Sequence, residues 1–381
     1  MSRRASFRPI ASRTLSIKQP LNLMRIHSPE RVLILGTGPL ALEIATELTR
    51  SASARHTLVG AVHDGGPRAP LFGSCPVLGP LEGLSAIVRE AGAQRIVVAL
   101  TEHRGRLPAR QLLDARLREI AVEAGEDFYE RLTGKVAIES LTPGRLVFSR
   151  RMVRIGTGSS LARLASRAFA AAVLIGLAPL LGLIALAIRL ESRGPVFFIQ
   201  ERLGLGGRPF KLIKFRTMRP ASGETSEWAR DNGHRITGLG GWLRRYRLDE
   251  LPQFINILRG DMNLIGPRPH PSTNFTLLAT VMRNAPERGT EIPYYSLRSM
   301  VRPGITGWAQ VRFGYANGLE EEIEKLKYDL YYVKHQSPAL DARVLLNTIR
   351  IVLIGQEAGA PAVRGPAAPG HLAEEGSHRA A

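Results

Sequence analysis

A stretch of 21 residues without a charge, Ala168 to Ile188, sits in the middle of this 381-residue chain and constrains it more than any other feature. A helix of that length crosses the hydrocarbon layer, which takes roughly 20 residues. Pro179 stands near its centre. Proline lacks a backbone N–H and clashes with the preceding turn, so the helix kinks or breaks there. Arg163 and Arg167 precede the run, and Arg189 and Arg193 follow it. Basic residues favour the cytoplasmic side, and a single span normally carries that bias at one end. Cations at both ends and a break between them describe a segment that enters a bilayer, turns and leaves on the same face. A kinked span carries the same features, and both readings stand at this point.

The chain is long enough for two domains with ample cores. Its formal charge of +19 should attract anions: nucleic acid, an acidic leaflet or phosphorylated substrates. The apolar run favours the last two, and no helix-turn-helix or aromatic stacking module supports the first. The lone Cys75 excludes an internal disulfide and suits a reducing compartment. Residues 1–30 are basic and polar, without the apolar core of a secretory signal, and are expected to be a flexible arm. Residues 357–381, rich in Ala, Gly and Pro, are expected to be disordered.

From Arg31 to about Leu141, short apolar runs alternate with helix-like stretches. Val32–Leu35, Leu58–Val62 and Ile96–Leu100 read as strands, and Pro39–Leu48 and Leu81–Glu90 as helices. That alternation predicts a parallel sheet covered by helices. Gly36-Thr37-Gly38 falls between the first strand and helix, where glycines permit a tight turn and a helix N-terminus can hold a phosphate. Asp64 follows the second strand, near the place of a ribose-binding acid. Pro39 removes one N–H, so a domain that has lost its nucleotide fits as well, and an oxidoreductase or epimerase is a second functional reading. That reading leaves the rest of the chain without a role.

Residues 189–310 are dense in Gly, Pro and Arg, as in a chain shaped by turns around a site. Residues 202–219 carry six cations and no acid. Lys214 and Arg216, two apart, point to one face of a strand and suit a diphosphate, although a solvated basic surface would look the same. Asp249 and Glu250 should lie at or just before a helix starting near Pro252. Arg244, Arg245 and Arg247 should keep both carboxylates ionised. An ionised Asp can attack phosphorus, and the neighbouring Glu can hold Mg²⁺. A helix cap with surface salt bridges is the plain alternative. Pro267 and Pro269 fix the backbone on either side of Arg268. Trp228, Trp242 and Trp308 suit either headgroup level or a core. Helical spacing marks Leu319–Val333 and Leu340–Ile354, the second with Arg343, Asn347 and Arg350 on a polar stripe.

Residues 189–355 resemble the bacterial monotopic phosphoglycosyl transferases, the polyprenyl-phosphate sugar-1-phosphate transferases of exopolysaccharide assembly. The resemblance rests on GPVFFIQERLGLGGRPFKLIKFRTM (194–218), LDELPQFINILRGDMNLIGPRP (248–269) and VRPGITGWAQV (301–311). Residues 105–143 resemble the exosortase-locus-associated subgroup. The resemblance implies an α/β chain: a Rossmann-like parallel-sheet domain at 31–150, a re-entrant membrane helix at 160–192 broken at Pro179, and a mostly helical, membrane-associated catalytic domain at 193–356. It implies that Asp249 attacks the β-phosphorus of a UDP-sugar, releases UMP and passes the phosphosugar to undecaprenyl phosphate. Glu250 then corresponds to the Mg²⁺-associated partner, Lys214, Arg216 and Arg268 to phosphate contacts, and Gly36, Gly38 and Asp64 to a vestigial nucleotide site. Mg²⁺ is the implied cofactor and membrane lipid the implied surroundings. The implied location is the cytoplasmic face of the inner membrane, with no nucleic-acid partner and a homodimer left open. Larger members carry a transmembrane bundle at the N-terminus, which residues 1–30 do not resemble. Pro269-His270-Pro271-Ser272 also departs from the family pattern, which bears on loop contacts near the acceptor.

Overall fold

A computed structural model of the protein describes residues 28–50, 55–65, 75–100, 106–138, 160–219, 233–271, 294–313 and 319–354. The basic arm up to residue 27, Trp228, Ser272 and the tail from residue 355 lie outside the described residues. The chain forms two compact units. One comprises residues up to Thr37 with Ala45–Glu123, and the other Gly38–Ile44 with residues from Ala124 onward.

The first unit is built on strands β1 (Glu30–Leu35), β2 (His56–His63), β3 (Val77–Pro80), β4 (Arg95–Val98) and β5 (Ala121–Ala124). They lie in the order β3-β2-β1-β4-β5. β1 pairs in parallel with both β2 and β4, and β2 in parallel with β3. Val32, Leu33, Ile34 and Leu35 are all fully buried, which explains why β1 reads as an unbroken apolar run and not as an alternation. Helix α1 (Pro39–Arg50) follows β1, α2 (Leu84–Glu90) follows β3 and α3 (Ala109–Leu117) follows β4. Leu33, Leu35, Val62, Leu84, Ile96 and Leu112 share one core. This is the expected α/β unit with the Rossmann strand order. The connections leave β1 and β4 in opposite directions, which opens a switch point beyond their carboxyl ends. Gly36 stands there with φ +117°, and a Cβ on it would lie 2.4 Å from the Ala99 carbonyl oxygen. That close approach is itself a reason for glycine at this position.

The longer segment of the second unit opens with α4 (Gly125–Thr133). Glu130 accepts from Lys334 Nζ at 2.7 Å and pairs with His335 Nε2 at 2.7 Å, while Trp308 Nε1 donates to the Gly134 carbonyl at 2.9 Å. These bonds hold α4 and its following turn within the C-terminal helical layer.

The apolar run forms two helices, α5 (Ser160–Gly176) and α6 (Ala178–Glu191), bent by 63° at Leu177. Pro179 lies in the first turn of α6, where its missing N–H costs nothing, so the proline starts a helix instead of kinking one. Among the described residues no single helix is long and apolar enough to cross a membrane. One side of the pair is anchored: Ala170 packs with Leu212, Phe254 and Ile257, and Ile184 and Ile188 pack with Phe215 and Leu243. Leu164, Phe169, Ile175, Leu183, Leu186 and Leu190 remain exposed.

Beyond the pair, β6 (Phe197–Leu203) and β7 (Pro209–Phe215) form an antiparallel hairpin with Lys214 opposite Phe198. Then come α7 (Gly238–Arg245), a 3₁₀ helix (Leu248–Gln253), α8 (Phe254–Arg259), β8 (Asn263–Ile265), α9 (Tyr294–Leu297), β9 (Gly304–Thr306) and α10 (Trp308–Arg312). The described residues end in α11 (Leu319–His335) and α12 (Pro338–Ile354). Trp308 is buried against Tyr332 and Val333, whereas Trp242 is half exposed.

The short parallel pair β8–β9 brings the GPRP and RPGITG motifs together. A Cβ on Gly304 would sit 2.1 Å from Gly266 N, one on Gly266 2.3 Å from the Arg302 carbonyl oxygen, and one on Gly307 2.2 Å from the Gly266 carbonyl oxygen. The obstacles are backbone atoms and cannot swing aside. Gly304→Ala is therefore expected to destabilise the protein by about 2–3 kcal/mol or more through overpacking. An unchanged denaturation midpoint at unchanged m-value would show that the two backbones tolerate separation.

Candidate active site

Asp249 and Glu250 occupy the 3₁₀ helix Leu248–Gln253, which runs straight into α8. The sequence suggested a helix opening near Pro252. Instead the turn begins earlier and includes the proline, whose fixed φ also suits 3₁₀ geometry. Arg247 caps this turn in the left-handed region at φ +55°, an uncommon conformation for a side chain of its size. Its Nη1 lies 3.9 Å from Glu250 Oε2.

Both carboxylates are buried, Asp249 to 7% exposure and Glu250 to 4%. Glu250 Oε1 accepts from Arg268 Nη1 at 2.8 Å. Burial opposes the charge on Glu250, but Arg268 and Arg247 outweigh it and hold its carboxyl below the usual range. Asp249 goes the other way. Burial first, and the neighbouring Glu250 charge second, push its carboxyl up to about 6, against the pull of Lys214, Arg268 and Arg244. At neutral pH both carboxylates are thus ionised, as the nearby arginines imply, but two adjacent buried acids do not share the same cations equally. Glu250 takes the direct guanidinium contact. Lys214, on β7, is pushed down to about 8 by burial and then by Arg268, with Asp249 opposing. Its Nζ lies 5.0 Å from the centre of the Phe198 ring.

Two buried atoms here have no hydrogen-bond partner: Glu250 Oε2 and Arg244 Nη1. An acceptor and a donor are thus left unsatisfied beside the dyad, the usual mark of groups that expect a ligand.

The structure brings Asp249, Glu250, Lys214 and Arg268 into one electrostatic cluster. Arg216 is placed differently. It stands one residue past the end of β7, and its guanidinium donates to Ser192 O (2.7 Å), Ser192 Oγ (2.8 Å) and Arg193 O (3.1 Å), closing the C-terminal end of α6. In the first unit, Gly36 directly follows β1, and Asp64 Oδ1 accepts from Thr37 Oγ1 at 3.4 Å. Gly38, just before α1, accepts from Leu42 N at 3.1 Å.

Several supporting residues gave no readable signal in the sequence. Asn256, fully buried on α8, accepts from Ile213 N (3.1 Å) and donates to Lys211 O (2.8 Å) and Asp261 Oδ2 (3.2 Å). It ties the dyad's helix to the strand that carries Lys214. Arg298 donates to Asp329 Oδ2 (2.6 Å) and to the Arg268 carbonyl (2.7 Å), fixing from behind the backbone that carries Arg268. His270, beside them, lies 3.5 Å from Glu322 and 3.3 Å from Lys325 Nζ. An asparagine inside a helix and an acid on a Glu/Lys-rich helix look like surface residues until the fold buries them.

Asn256→Ala strands the Ile213 N–H and the Lys211 carbonyl in the interior. The expected cost is about 2–4 kcal/mol for two buried polar groups, measured by urea unfolding. A loss under about 0.5 kcal/mol would mean that the strand and helix hold together without this bridge.

Residues 157–355 match the sequence profile of the bacterial sugar transferases. Over 251 residues, 65% of this chain and 55% of the relative, the chain is 39% identical to a UDP-N-acetylgalactosamine-undecaprenyl-phosphate N-acetylgalactosaminephosphotransferase of Aeromonas hydrophila. It is 32% identical over 350 residues to an undecaprenyl-phosphate glucose phosphotransferase of Komagataeibacter xylinus, covering 86% of this chain and 60% of that one. It is 42% identical over 189 residues to a UDP-glucose:undecaprenyl-phosphate glucose-1-phosphate transferase of Caulobacter vibrioides, covering 48% and 67%. The chain thus spans little more than half the length of the first two relatives.

Proposed function

The chain belongs to the bacterial sugar transferase family, and from that premise we propose that it moves a sugar 1-phosphate from a UDP-sugar to undecaprenyl phosphate. The observation that carries the reading is the pair of adjacent buried carboxylates in opposite electrostatic settings, ringed by Lys214, Arg244, Arg247 and Arg268. Two acids with divergent settings are suited to two roles.

In the first step an Asp249 carboxylate oxygen attacks the β-phosphorus of the donor. The bond from phosphorus to the bridging oxygen breaks, and UMP leaves with the electron pair. In the second step a phosphate oxygen of undecaprenyl phosphate attacks the same phosphorus, and Asp249 departs as a carboxylate. A carboxyl near 6 is ionised at neutral pH yet more basic than an ordinary aspartate, which favours it as the nucleophile. Lys214, Arg268 and the unsatisfied Arg244 Nη1 face the charge that develops on the phosphate oxygens. Arg216 serves the site at one remove, by holding the end of α6 against β7.

Glu250 Oε2, buried and unsatisfied, fits a Mg²⁺ ligand, and Asp249 is the neighbouring oxygen donor. Among the described residues no cluster of three or more metal-ligating side chains occurs. That suits Mg²⁺, which commonly takes one or two carboxylates and completes its shell with water and substrate phosphates. When bound, the ion neutralises diphosphate oxygens.

The bent pair α5–α6, with its exposed leucines and basic flanks, supports a re-entrant, monotopic anchor on the cytoplasmic face of the inner membrane. A soluble donor and a lipid acceptor meet at that surface. The Rossmann-like unit is read as a docking or vestigial domain, because Gly36 has a packing reason of its own.

Asp249→Asn is expected to abolish UMP release without lowering the melting temperature, since an amide does not attack phosphorus. In wild-type protein, radiolabelled UDP-sugar without acceptor should leave label on the polypeptide, and the variant should leave none. Equal labelling of both would place the nucleophile elsewhere. For the first step, whose diphosphate diester stays fully ionised, kcat/KM should fall below about pH 6 as Asp249 gains a proton. It should fall again above about pH 8 as Lys214 loses one. A flat profile from pH 5 to 9 would contradict both assignments. Cysteine accessibility should place residues 160 and 195 on the same side of the membrane, and opposite sides would remove the re-entrant anchor.

A further inference from the structure

A second basic site lies away from the dyad. Arg163, Ser166 and Arg167 on α5, Gly260 at the end of α8, Asn263 on β8, and Arg302 just before β9 line a shallow, solvent-open recess. Its floor is Ile257 and Met262, part of the core under the bent pair. Among the described residues the lining holds three guanidinium groups and no carboxylate. Burial and then the charges of Arg163 and Arg167 hold Arg302 below its usual range, so the three cations converge at an energetic cost.

The recess is built for that convergence. Gly260 has φ +87°, a backbone conformation that favours glycine, and Arg167 Nη2 lies against it, 2.4 Å from where a Cβ would stand. Arg302 is fixed by its Nε, which donates to the Gly260 carbonyl at 3.2 Å and uses none of its terminal N–H donors. The apolar run starts at Ala168, immediately after Arg167, so the recess stands at the foot of the bent pair. The 3₁₀ helix and α8 separate it from Asp249 by roughly 15–20 Å of helical rise. None of the residues that line it belongs to the Asp249 cluster.

We propose that this recess binds a phosphate monoester, carried on a lipid headgroup or free in solution. Three converging guanidinium charges match a compact dianion better than a singly charged diester. This goes beyond the transfer reaction and does not rest on it.

The test uses the full chain and probes that are not substrates. Vesicles of phosphatidylcholine containing phosphatidate, a monoester, are compared by flotation with vesicles of matched charge containing phosphatidylglycerol, a diester. Inorganic phosphate is compared with chloride by thermal shift. The variant pairs Arg167→Gln/Arg302→Gln and Arg163→Gln/Arg167→Gln remove the same charge, and the second leaves the Gly260 contact intact should the first fail to fold. Arg189→Gln/Arg193→Gln, at the other end of the bent pair, is the charge-matched control. Wild type and control should prefer phosphatidate, and the site variants should lose that preference with binding weakened about tenfold. A phosphate-dependent thermal shift lost in the site variants, without a vesicle preference, would assign the same chemistry to a free ligand. The proposal is overturned if wild type shows neither response, or if the site variants keep both. Because phosphatidate and phosphate do not engage Asp249 chemistry, these outcomes are independent of whether Asp249→Asn retains turnover.

Discussion

The contact between Arg268 and Glu250 is the point on which the catalytic layer turns. It is a 2.8 Å charge-assisted bond beneath the surface, and each partner is held by a separate part of the fold. Removing two acids from water is costly, and the guanidinium makes its direct bond to only one of them. Glu250 stays charged, while Asp249 bears the repulsion and the desolvation. The difference between two neighbouring residues of nearly identical chemistry is therefore created by what surrounds them.

The surroundings are over-determined. Prolines on both sides of Arg268 limit its backbone, and the buried Arg298–Asp329 pair grips its carbonyl from behind. Asn256 joins the dyad's helix to the strand that presents Lys214. The glycines of β8 and β9 let two loops cross at backbone contact. The proposed phosphoryl transfer would draw most of its power from positioned charge, and rigidity of this kind suits it. The bent pair α5–α6 joins the same core through Ala170, Ile184 and Ile188, coupling the proposed anchor to the site mechanically.

Much of this was legible in residue order. The alternation of apolar runs with helix-like stretches announced the parallel sheet, because strands covered on both faces are apolar throughout. The charge-free run with Pro179 announced a break, and the Asp249-Glu250 pair announced a pair of acids close to a helix start. Arg216 shows the limit. Its spacing from Lys214 suited a shared face, yet the strand ends at Phe215 and the guanidinium closes a helix end. Asn256, Arg298 and Asp329 gave no signal at all, since polar residues among helical neighbours are ordinarily solvated.

The sequence by itself determined the local conformational choices: where helices break, where strands are doubly buried, and which acids stand side by side. Those follow from short-range sterics and hydrophobic period, which depend on neighbours along the chain. Only the tertiary structure decided which acid is paired, which cation faces the site and which merely holds it, and that three distant arginines converge on one recess. Those outcomes depend on burial and on distances between residues far apart in sequence, and both exist only once the chain has folded.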